Sequence, residues 1–341
     1  MALNDEWLAL TPETALEPEL AICDPHHHFW DGRFDRIAPR YLLDEFLEDI
    51  RGGHNVVSTV FVECHSMFRA HGPEEFKPVG ETEFVTGIAA MSASGSYGSA
   101  RVAAGIVGWA DLARGQAVAP VLEAHIAAAG GRLRGIRHSA AWDASDQIPR
   151  SLAHPAQGLY LDAKFRQGFA ELARCGLSFE GWLYHPQIAE LTDLARAFPD
   201  TTIVLDHFGG PLGIGPYAGR RAEIMEQWRD DIAALARCPN VVAKLGGINM
   251  PINGFDWQSR PRPPSSEELA EATAPYFAHC LEHFGVERCM FESNFPVDKV
   301  SCSYTVLWNV FKRIAAPFSD DDKAKLFHDT ASRVYRLEEA D

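Results

Sequence analysis

Short apolar runs alternate with longer amphipathic segments along most of the chain. The runs are rich in Val, Ile and Leu and are too short for helices, which is typical of buried parallel strands. We predict eight strands, one opening the segment 22–31 and the others at 56–62, 102–107, 133–138, 177–183, 202–205, 241–245 and 288–291. Helical periodicity predicts helices at 41–51, 82–91, 118–129, 161–175, 188–198, 221–237, 267–284, 304–314 and 320–337.

This regular alternation determines the predicted fold class. Strands that alternate with helices indicate a parallel α/β sheet, and eight such units indicate a closed (β/α)8 TIM barrel rather than an open sheet. No Gly-x-Gly-x-x-Gly follows any predicted strand, which argues against a dinucleotide-binding fold. We therefore predict a single domain over residues 1–341, with an N-terminal extension at 1–20 and a C-terminal helix within 318–341.

The extra length of the chain lies in the predicted strand-to-helix connections. Four of them are long, at 64–81, 139–159, 208–220 and 246–265, whereas the helix-to-strand connection at 199–201 is short. In a TIM barrel the strand-to-helix loops build the active-site face. The loop lengths therefore favour a catalytic or binding function at that face.

Composition and charge exclude several classes of partner. The 341 residues are 46% hydrophobic and 23% charged, which is ordinary for a globular protein. The formal net charge of −16 argues against nucleic acid and anionic membranes, but it leaves a small-molecule substrate open. Residues 1–20 do not read as a signal peptide, and no apolar run is long enough for a membrane span. Seven scattered cysteines suit a reducing cytoplasm, and a homodimer is only a prior for barrels of this size.

Ionisable or amide side chains occur where the predicted strands end. Alternate residues of a strand face the same side, so His26 and His28 can point into one pocket while His27 points away. Two convergent imidazoles suit a zinc-like ion, although a three-histidine run can also be a tag remnant or a solvated loop. The other strand ends carry Glu63, Asp111, Arg137, His138, Tyr184, His185, Asp206, His207, Lys244, Glu292 and Asn294. A barrel brings these ends into one ring.

Six ordered motifs carry a resemblance to a known family. They are Asp-Pro-His-His-His-Phe-Trp-Asp (24–31), Gly-Ile-Arg-His (135–138), Tyr-His-Pro-Gln (184–187), Leu-Asp-His-Phe-Gly-Gly-Pro (205–211), Lys-Leu-Gly-Gly (244–247) and Phe-Glu-Ser-Asn-Phe-Pro (291–296). Together they resemble the amidohydrolase-2 family, and most closely its branch of metal-dependent TIM-barrel hydrolases that contains sugar lactonases and 2-pyrone-4,6-dicarboxylate lactonase.

The resemblance implies roles for individual residues. His26 and His28 match the His-x-His pair that binds the metal, and His185 matches a further ligand or a group that polarises the scissile carbonyl. His207 matches the histidine after the sixth strand, and Arg137 matches an arginine that grips a carboxylate or an oxyanion. The implied cofactor is a divalent metal, with zinc as the first choice, and a metal-free site stays open.

One position departs from the family pattern. The family usually ends its last barrel strand in Ser-Asp-Trp-Pro, whose Asp is metal ligand and general base, whereas this chain has Asn294 there. An amide cannot act as a general base, although its oxygen can still coordinate a metal weakly. Glu292, Asp298, His207 or His185 could replace the missing carboxylate, and we favour Glu292 or a histidine over Asp298. A structural role for Glu292, bonded to Arg or Lys inside the barrel, is an open alternative.

Further residues are candidates for substrate binding. Tyr184, Glu63 and Lys244 face the same predicted ring, although Glu63 and Lys244 could instead form a mutual salt bridge. Trp30 and the loop that contains Arg69 could close over a ring-shaped substrate, or could be ordinary loop packing. The planar fork of Arg137 suits a carboxylated substrate.

Three functions are consistent with this sequence. The first is a hydrolase that opens a lactone of a small carboxylated substrate with an activated water. The second is a non-oxidative decarboxylase of the same superfamily. The third is a non-catalytic small-molecule binder, against which stands the retention of five ionisable groups, namely His26, His28, Arg137, His185 and His207.

Overall fold

Eight parallel strands form the central sheet of the protein, which is described by a computed structural model at residues 5–33 and 38–337. Each strand pairs in parallel with the next one along the chain. In chain order they are β1 (Ala21–His27), β4 (Asn55–Val62), β5 (Arg101–Trp109), β6 (Leu133–Arg137), β7 (Ser178–Gly181), β8 (Ile203–Leu205), β9 (Val241–Leu245) and β10 (Cys289–Phe291). The short strands β2 (Trp30–Asp31) and β3 (Arg40–Tyr41) form a separate antiparallel pair.

The last strand region returns to the first and nearly closes the sheet. The Asn294 backbone N–H donates to the His26 carbonyl at 2.9 Å, and the His28 N–H donates to the Phe295 carbonyl at 2.8 Å. His27 and Phe295 form an isolated parallel bridge. The predicted TIM-barrel α/β fold is therefore confirmed.

Helices surround the sheet. They are α1 (Asp5–Leu8), α2 (Leu43–Ile50), α3 (Val79–Ala93), α4 (Ala119–Ala128), α5 (Ala163–Arg174), α6 (Ile188–Ala197), α7 (Arg221–Ala236), α8 (Ser266–Phe284), α9 (Tyr304–Ala315), α10 (Asp320–Ala324) and α11 (Thr330–Val334). Short 3-10 turns occupy much of the long strand-to-helix connections, for example at Glu74–Phe76, His185–Gln187, His207–Gly209 and Asp298–Val300.

Several element bounds differ from the predicted ones. Helix α3 begins at Val79 rather than at 82, and the helix predicted at 320–337 is interrupted by a π-helical turn at Lys325–Asp329. Helix α5 begins after Asp162, whose carboxylate accepts from the backbone N–H groups of Lys164 and Phe165 at 2.8 Å each. This side-chain cap satisfies donors that the first helical turn leaves free. Residues 1–4 and 338–341 of the predicted terminal segments lie outside the described residues.

The two largest apolar clusters among the described residues pack against the barrel strands. The larger cluster lies between the strands and the apolar faces of the helices, and it includes Phe61, Ile136, Phe179 and Trp228. A smaller cluster combines valines on alternate strand positions, such as those at 60, 62, 204 and 242, with three residues of the C-terminal segment, Ala331, Tyr335 and Leu337. The C-terminal segment thus packs against residues that face into the barrel. Among the described helices, none combines the length and apolar character needed to cross a membrane.

Candidate active site

A cavity of about 190 Å³ lies at the carboxyl ends of the strands. Seven of the predicted site residues line it, namely His28, Trp30, Glu63, Arg137, Tyr184, His207 and Asn294. These seven side chains therefore share one pocket, whereas His26, His185, Lys244 and Glu292 are not part of its lining. The lining also includes residues that were not among the predicted strand-end residues, such as Arg33, His65, Ser139, Arg150, Trp182 and Met250.

His207 is held by Glu292 beneath the cavity. The Nδ1 atom of His207 lies 2.6 Å from Oε1 of Glu292, and both side chains are buried. Burial raises the pKa of Glu292, but His207 and His26 outweigh it and lower that pKa to about 2. An ionised carboxylate only accepts hydrogen bonds, so the proton of a neutral His207 resides on Nδ1 and the lone pair on Nε2.

Two glycines make room for this pair. A Cβ at Gly247 would lie 2.3 Å from His207 Nδ1, and a Cβ at Gly246 would lie 2.4 Å from Glu292 Cγ. Gly247 also has a φ of +69°, a conformation that side-chain-bearing residues rarely adopt. The Lys-Leu-Gly-Gly motif at the end of β9 therefore lets the histidine after β8 and the glutamate after β10 approach each other. His207 itself has a φ of 51°, which marks a locally strained backbone at the site.

His26 lies below the cavity, fully buried between charged groups. Its Nδ1 is 2.8 Å from Glu292 Oε2 and 3.2 Å from Lys244 Nζ, and its Nε2 is 3.3 Å from Arg137 Nη1. Burial and the Lys244 ammonium lower the pKa of His26. His26 is therefore neutral, and Glu292 contacts both histidines of the site.

Arg137 is anchored chiefly by Glu63. Its Nε donates to Glu63 Oε1 at 2.6 Å, its Nη2 donates to the Glu63 carbonyl, and its Nη1 lies 3.4 Å from Asp206 Oδ2. Burial would raise the pKa of Glu63, but Arg137 outweighs it and lowers that pKa. Arg137 thus presents a fixed positive charge at the cavity wall.

Lys244 pairs with Glu180 and Asp206 inside the barrel, rather than with Glu63. Its Nζ lies 2.7 Å from Glu180 Oε2 and 3.5 Å from Asp206 Oδ1. The hydroxyl of Tyr335, from the C-terminal segment, donates to the other oxygen of Glu180. Burial raises the pKa of Glu180 to about 8. Lys244 and Glu180 are fully buried and do not line the cavity, and the substrate-binding role of Lys244 stays a prediction.

His28 and Asn294 face each other at the cavity. Nε2 of His28 lies 3.3 Å from Oδ1 of Asn294, and Nδ1 of His28 lies 2.8 Å from the Val62 carbonyl. The Asn294 amide donates in turn to Asp298 Oδ2 at 2.7 Å. Burial raises the pKa of Asp298 to about 7. Burial also lowers the pKa of His28 well below its usual range, so His28 is neutral.

Two predicted site residues lie apart from this group. His185 begins a 3-10 turn, its Nδ1 accepts from the Leu212 backbone N–H at 3.3 Å, and its ring packs against Tyr217. It is not among the residues that line the cavity. Arg69 forms an exposed ion pair with Glu83, again outside the cavity lining. The catalytic and metal roles for His185 and the substrate role for Arg69 stay predictions.

The donor set below the cavity fits a divalent metal. Ligand atoms of His26, Asp206 and His207, all buried, lie within 4.8 Å of one another. Oδ1 of Asp206 accepts no hydrogen bond from the described residues and is met only by Lys244 Nζ at 3.5 Å and His26 Nδ1 at 3.7 Å, so this buried carboxylate oxygen can take another ligand. Imidazole and carboxylate are the donors that zinc takes in catalytic sites. The prediction placed His28 and His185 with His26, whereas Asp206 and His207 complete this group.

Asp206 is the residue that sequence reasoning undervalued. Its position directly after β8 makes it a strand-end residue, but the sequence alone assigns it no role. Burial would raise the pKa of Asp206, and Lys244 and His26 instead lower it well below its usual range. Its adjacency to His207 in the Leu-Asp-His motif was the signal that could have identified it.

Comparison with known proteins places these motifs in a family context. The family model described as "Amidohydrolase" matches residues 23–337 of the chain. Protein y4mH of Sinorhizobium fredii, an uncharacterized protein, is 35% identical over 337 residues, which cover 94% of this chain and 99% of the relative. The L-fucono-1,5-lactonase of Burkholderia multivorans is 28% identical over 241 residues, which cover 70% of this chain and 73% of that enzyme.

Solved structures share the fold. Two crystal structures of an amidohydrolase from Burkholderia multivorans, one with bound HEPES and one with bound zinc, superpose with a TM-score of 0.71 each. Their sequence identities to this chain are 25% and 24%, and each comparison covers 93% of this chain and 100% of the other.

Proposed function

This chain belongs to the amidohydrolase family and is an enzyme of that superfamily, and on that premise we propose that it hydrolyses a lactone of a small carboxylated molecule. The observation that carries the proposal is the His207–Glu292 pair, which leaves a lone pair on His207 Nε2 at the cavity. The similarity to a fucono-lactonase supports a ring ester as the substrate class. A lactonase attaches water to the ring carbonyl and breaks the ring C–O bond, so one carboxylic acid and one hydroxyl form.

The residues of this chain supply two parts of that chemistry. His207 Nε2 takes a proton from the attacking water, and the Glu292 carboxylate stabilises the resulting imidazolium. The Arg137 guanidinium, fixed by Glu63, stabilises the negative charge that develops on the carbonyl oxygen or binds a substrate carboxylate. Arg33 and Arg150 add positive charge to the cavity lining, which favours an anionic substrate.

A divalent metal, with zinc as the first choice, would be held by His26, Asp206 and His207 and would lower the pKa of a bound water. Glu292 has the same role with and without a bound metal. Metal binding and proton transfer both need an unprotonated Nε2 on His207, and Glu292 keeps the ring proton on Nδ1. The metal content of the protein separates the two states.

The test is a panel of sugar lactones and pyrone carboxylates, with proton release followed by a pH indicator and carbon dioxide followed in parallel. We expect proton release with ring opening, and we expect His207→Asn to abolish it. His154→Asn, an exposed histidine outside the cavity lining, is the matched control and should keep full activity. Release of carbon dioxide would instead support the decarboxylase alternative, and turnover by His207→Asn at the wild-type rate would refute the assignment of His207.

A further inference from the structure

Asn294 stands where the family motif carries an aspartate, and a carboxylate lies directly behind it. The amide Nδ2 of Asn294 donates to Asp298 Oδ2 at 2.7 Å, and the Asn249 backbone N–H donates to Asp298 Oδ1 at 3.1 Å. Asp298 is itself tied back, since its backbone N–H donates to the Asn294 carbonyl at 3.2 Å. Asn294 is 1% exposed and Asp298 is 0% exposed, so water does not compete for these contacts.

The carboxylate dictates which end of the amide faces the cavity. An ionised Asp298 accepts hydrogen bonds at both oxygens and donates none. Both of its oxygens already receive an N–H, so a rotation of the carboxylate changes nothing for Asn294. The NH₂ of Asn294 must therefore point to Asp298, and Oδ1 must point to His28.

The hydrogen-bond partner of His28 likewise determines which ring nitrogen carries the proton. Its Nδ1 lies 2.8 Å from the Val62 carbonyl, which only accepts, so the ring proton resides on Nδ1. Nε2 therefore carries a lone pair, and it lies 3.3 Å from Oδ1 of Asn294. Two buried acceptors thus face each other with no proton between them. Such a pair is unfavourable alone and is stabilised by a donor or a cation in the cavity.

We propose that Asp298 is a positioning residue that turns the Asn294 amide so that its oxygen, together with His28 Nε2, forms an acceptor pair at the cavity. In this arrangement position 294 carries an amide, and the carboxylate next to it lies at position 298. The pair binds a polarised O–H group, such as the attacking water. That last step rests on the proposed hydrolytic function, whereas the orientation of the amide does not.

Asp298→Asn is the decisive variant. Its new amide keeps an oxygen for the Asn249 N–H and turns its NH₂ toward Asn294, which then rotates so that its own NH₂ donates to His28 Nε2. Every hydrogen bond stays satisfied, so the fold is retained while the cavity gains a donor in place of an acceptor. Asp200→Asn, an exposed acid-to-amide change, is the matched control.

The first readout needs no substrate. In protein labelled with ¹⁵N-histidine and held at about pH 8.5, well above the Asp298 pKa, the Nε2 resonance of His28 is assigned from its loss in His28→Asn. We expect Asp298→Asn to move this resonance toward that of a hydrogen-bonded nitrogen, and we expect Asp200→Asn to leave it in place. An unchanged resonance in Asp298→Asn would overturn the positioning role, whatever the lactone panel shows.

The second readout is a double-variant cycle. Asn294→Asp places two carboxylates at the 2.7 Å contact and should lower the melting temperature by several degrees. Adding Asp298→Asn to the same chain exchanges the pair, so that an amide at position 298 donates to a carboxylate at position 294, and should restore the melting temperature. The kcat of Asp298→Asn should be about tenfold or more below that of the wild type, with little change in KM. The proposal would be overturned if the changes in melting temperature of the two single variants simply added in the double variant. A kcat of Asp298→Asn equal to that of the wild type would also overturn it.

Discussion

Glu292 accepts a hydrogen bond from His207 with 2.6 Å between Oε1 and Nδ1, and its other oxygen lies 2.8 Å from Nδ1 of His26. One buried carboxylate therefore holds the proton of a neutral His207 on Nδ1 and lies within ion-pair distance of a second histidine, which comes from β1. An amide NH₂ in place of Oε1 would set two donors against each other at His207.

Glu292→Gln should consequently lower kcat by about two to four orders of magnitude, because an amide lacks the negative charge that stabilises the His207 imidazolium. The side-chain volume is nearly unchanged, so we expect a cooperative thermal transition as in the wild type. Steady-state kinetics on the best lactone of the panel measures the effect. A kcat within twofold of the wild type would contradict the role of Glu292.

Arg137→Lys should damage both stability and turnover. A lysine cannot reproduce the contacts to the Glu63 carboxylate, the Glu63 carbonyl and Asp206, so two buried carboxylates lose a partner. Breaking a buried pair in this way costs about 3–5 kcal/mol. Urea unfolding measures the loss, and Arg196→Lys on the exposed face of α6 is the control that should stay within about 0.5 kcal/mol of the wild type. Equal midpoints for the two variants would show that Arg137 is not structurally anchored.

The fold and the position of the site were predictable because both follow from patterns along the chain. Apolar runs marked the strands, and the ionisable residue after each run marked the ring, as with Glu63, Arg137 and Asp206. The partner of each buried charge was not predictable, since Lys244 of β9 meets Glu180 of β7 across the intervening strand β8. His185 shows the limit of strand periodicity: β7 ends at Gly181, so the histidine begins a 3-10 turn instead of continuing the strand.

The metal content of the protein tests whether the buried group of His26, Asp206 and His207 binds a metal. We expect protein purified without a tag to retain about one zinc or manganese per chain, measured by elemental analysis. Asp206→Asn should retain clearly less, because it removes the carboxylate charge while keeping the side-chain shape. Wild-type protein that holds no metal after incubation with zinc would remove the metal from the proposal and leave His207 as the proton acceptor.

Glu81 predicts a pH dependence of stability. Its Oε1 accepts from the backbone N–H groups of Cys64 and Ser66 at 3.0 and 2.7 Å, and burial together with Glu63 raises its pKa to about 8. The folded state therefore holds a proton that the unfolded chain releases above its ordinary value of 4.5, so this group lowers stability as pH rises from 4.5 to about 8.

Glu81→Gln removes this titration and keeps an oxygen for both N–H groups. The free energy of unfolding of the variant, taken relative to that of the wild type, should rise by about 1–3 kcal/mol from about pH 5 to about pH 9. Thermal unfolding at the two pH values measures it. Glu123→Gln, on the exposed face of α4, should show the same difference from wild type at both. A gain at the lower pH instead would contradict the sign of the Glu81 shift.

Gly247→Ala separates backbone strain from crowding of His207. Gly247 has a φ of +69°, and Gly285 has a φ of +72° with a ψ of 160°, so alanine at either position costs about 1–3 kcal/mol in backbone strain. Only at Gly247 would the new Cβ meet another group, since it would lie 2.3 Å from His207 Nδ1, whereas nothing lies within 4 Å at Gly285. Because the Cβ displaces the ring from Glu292, Gly247→Ala should lose about tenfold or more in kcat, while Gly285→Ala should lose stability alone. Equal kcat values in the two variants would mean that the position of His207 does not limit the reaction.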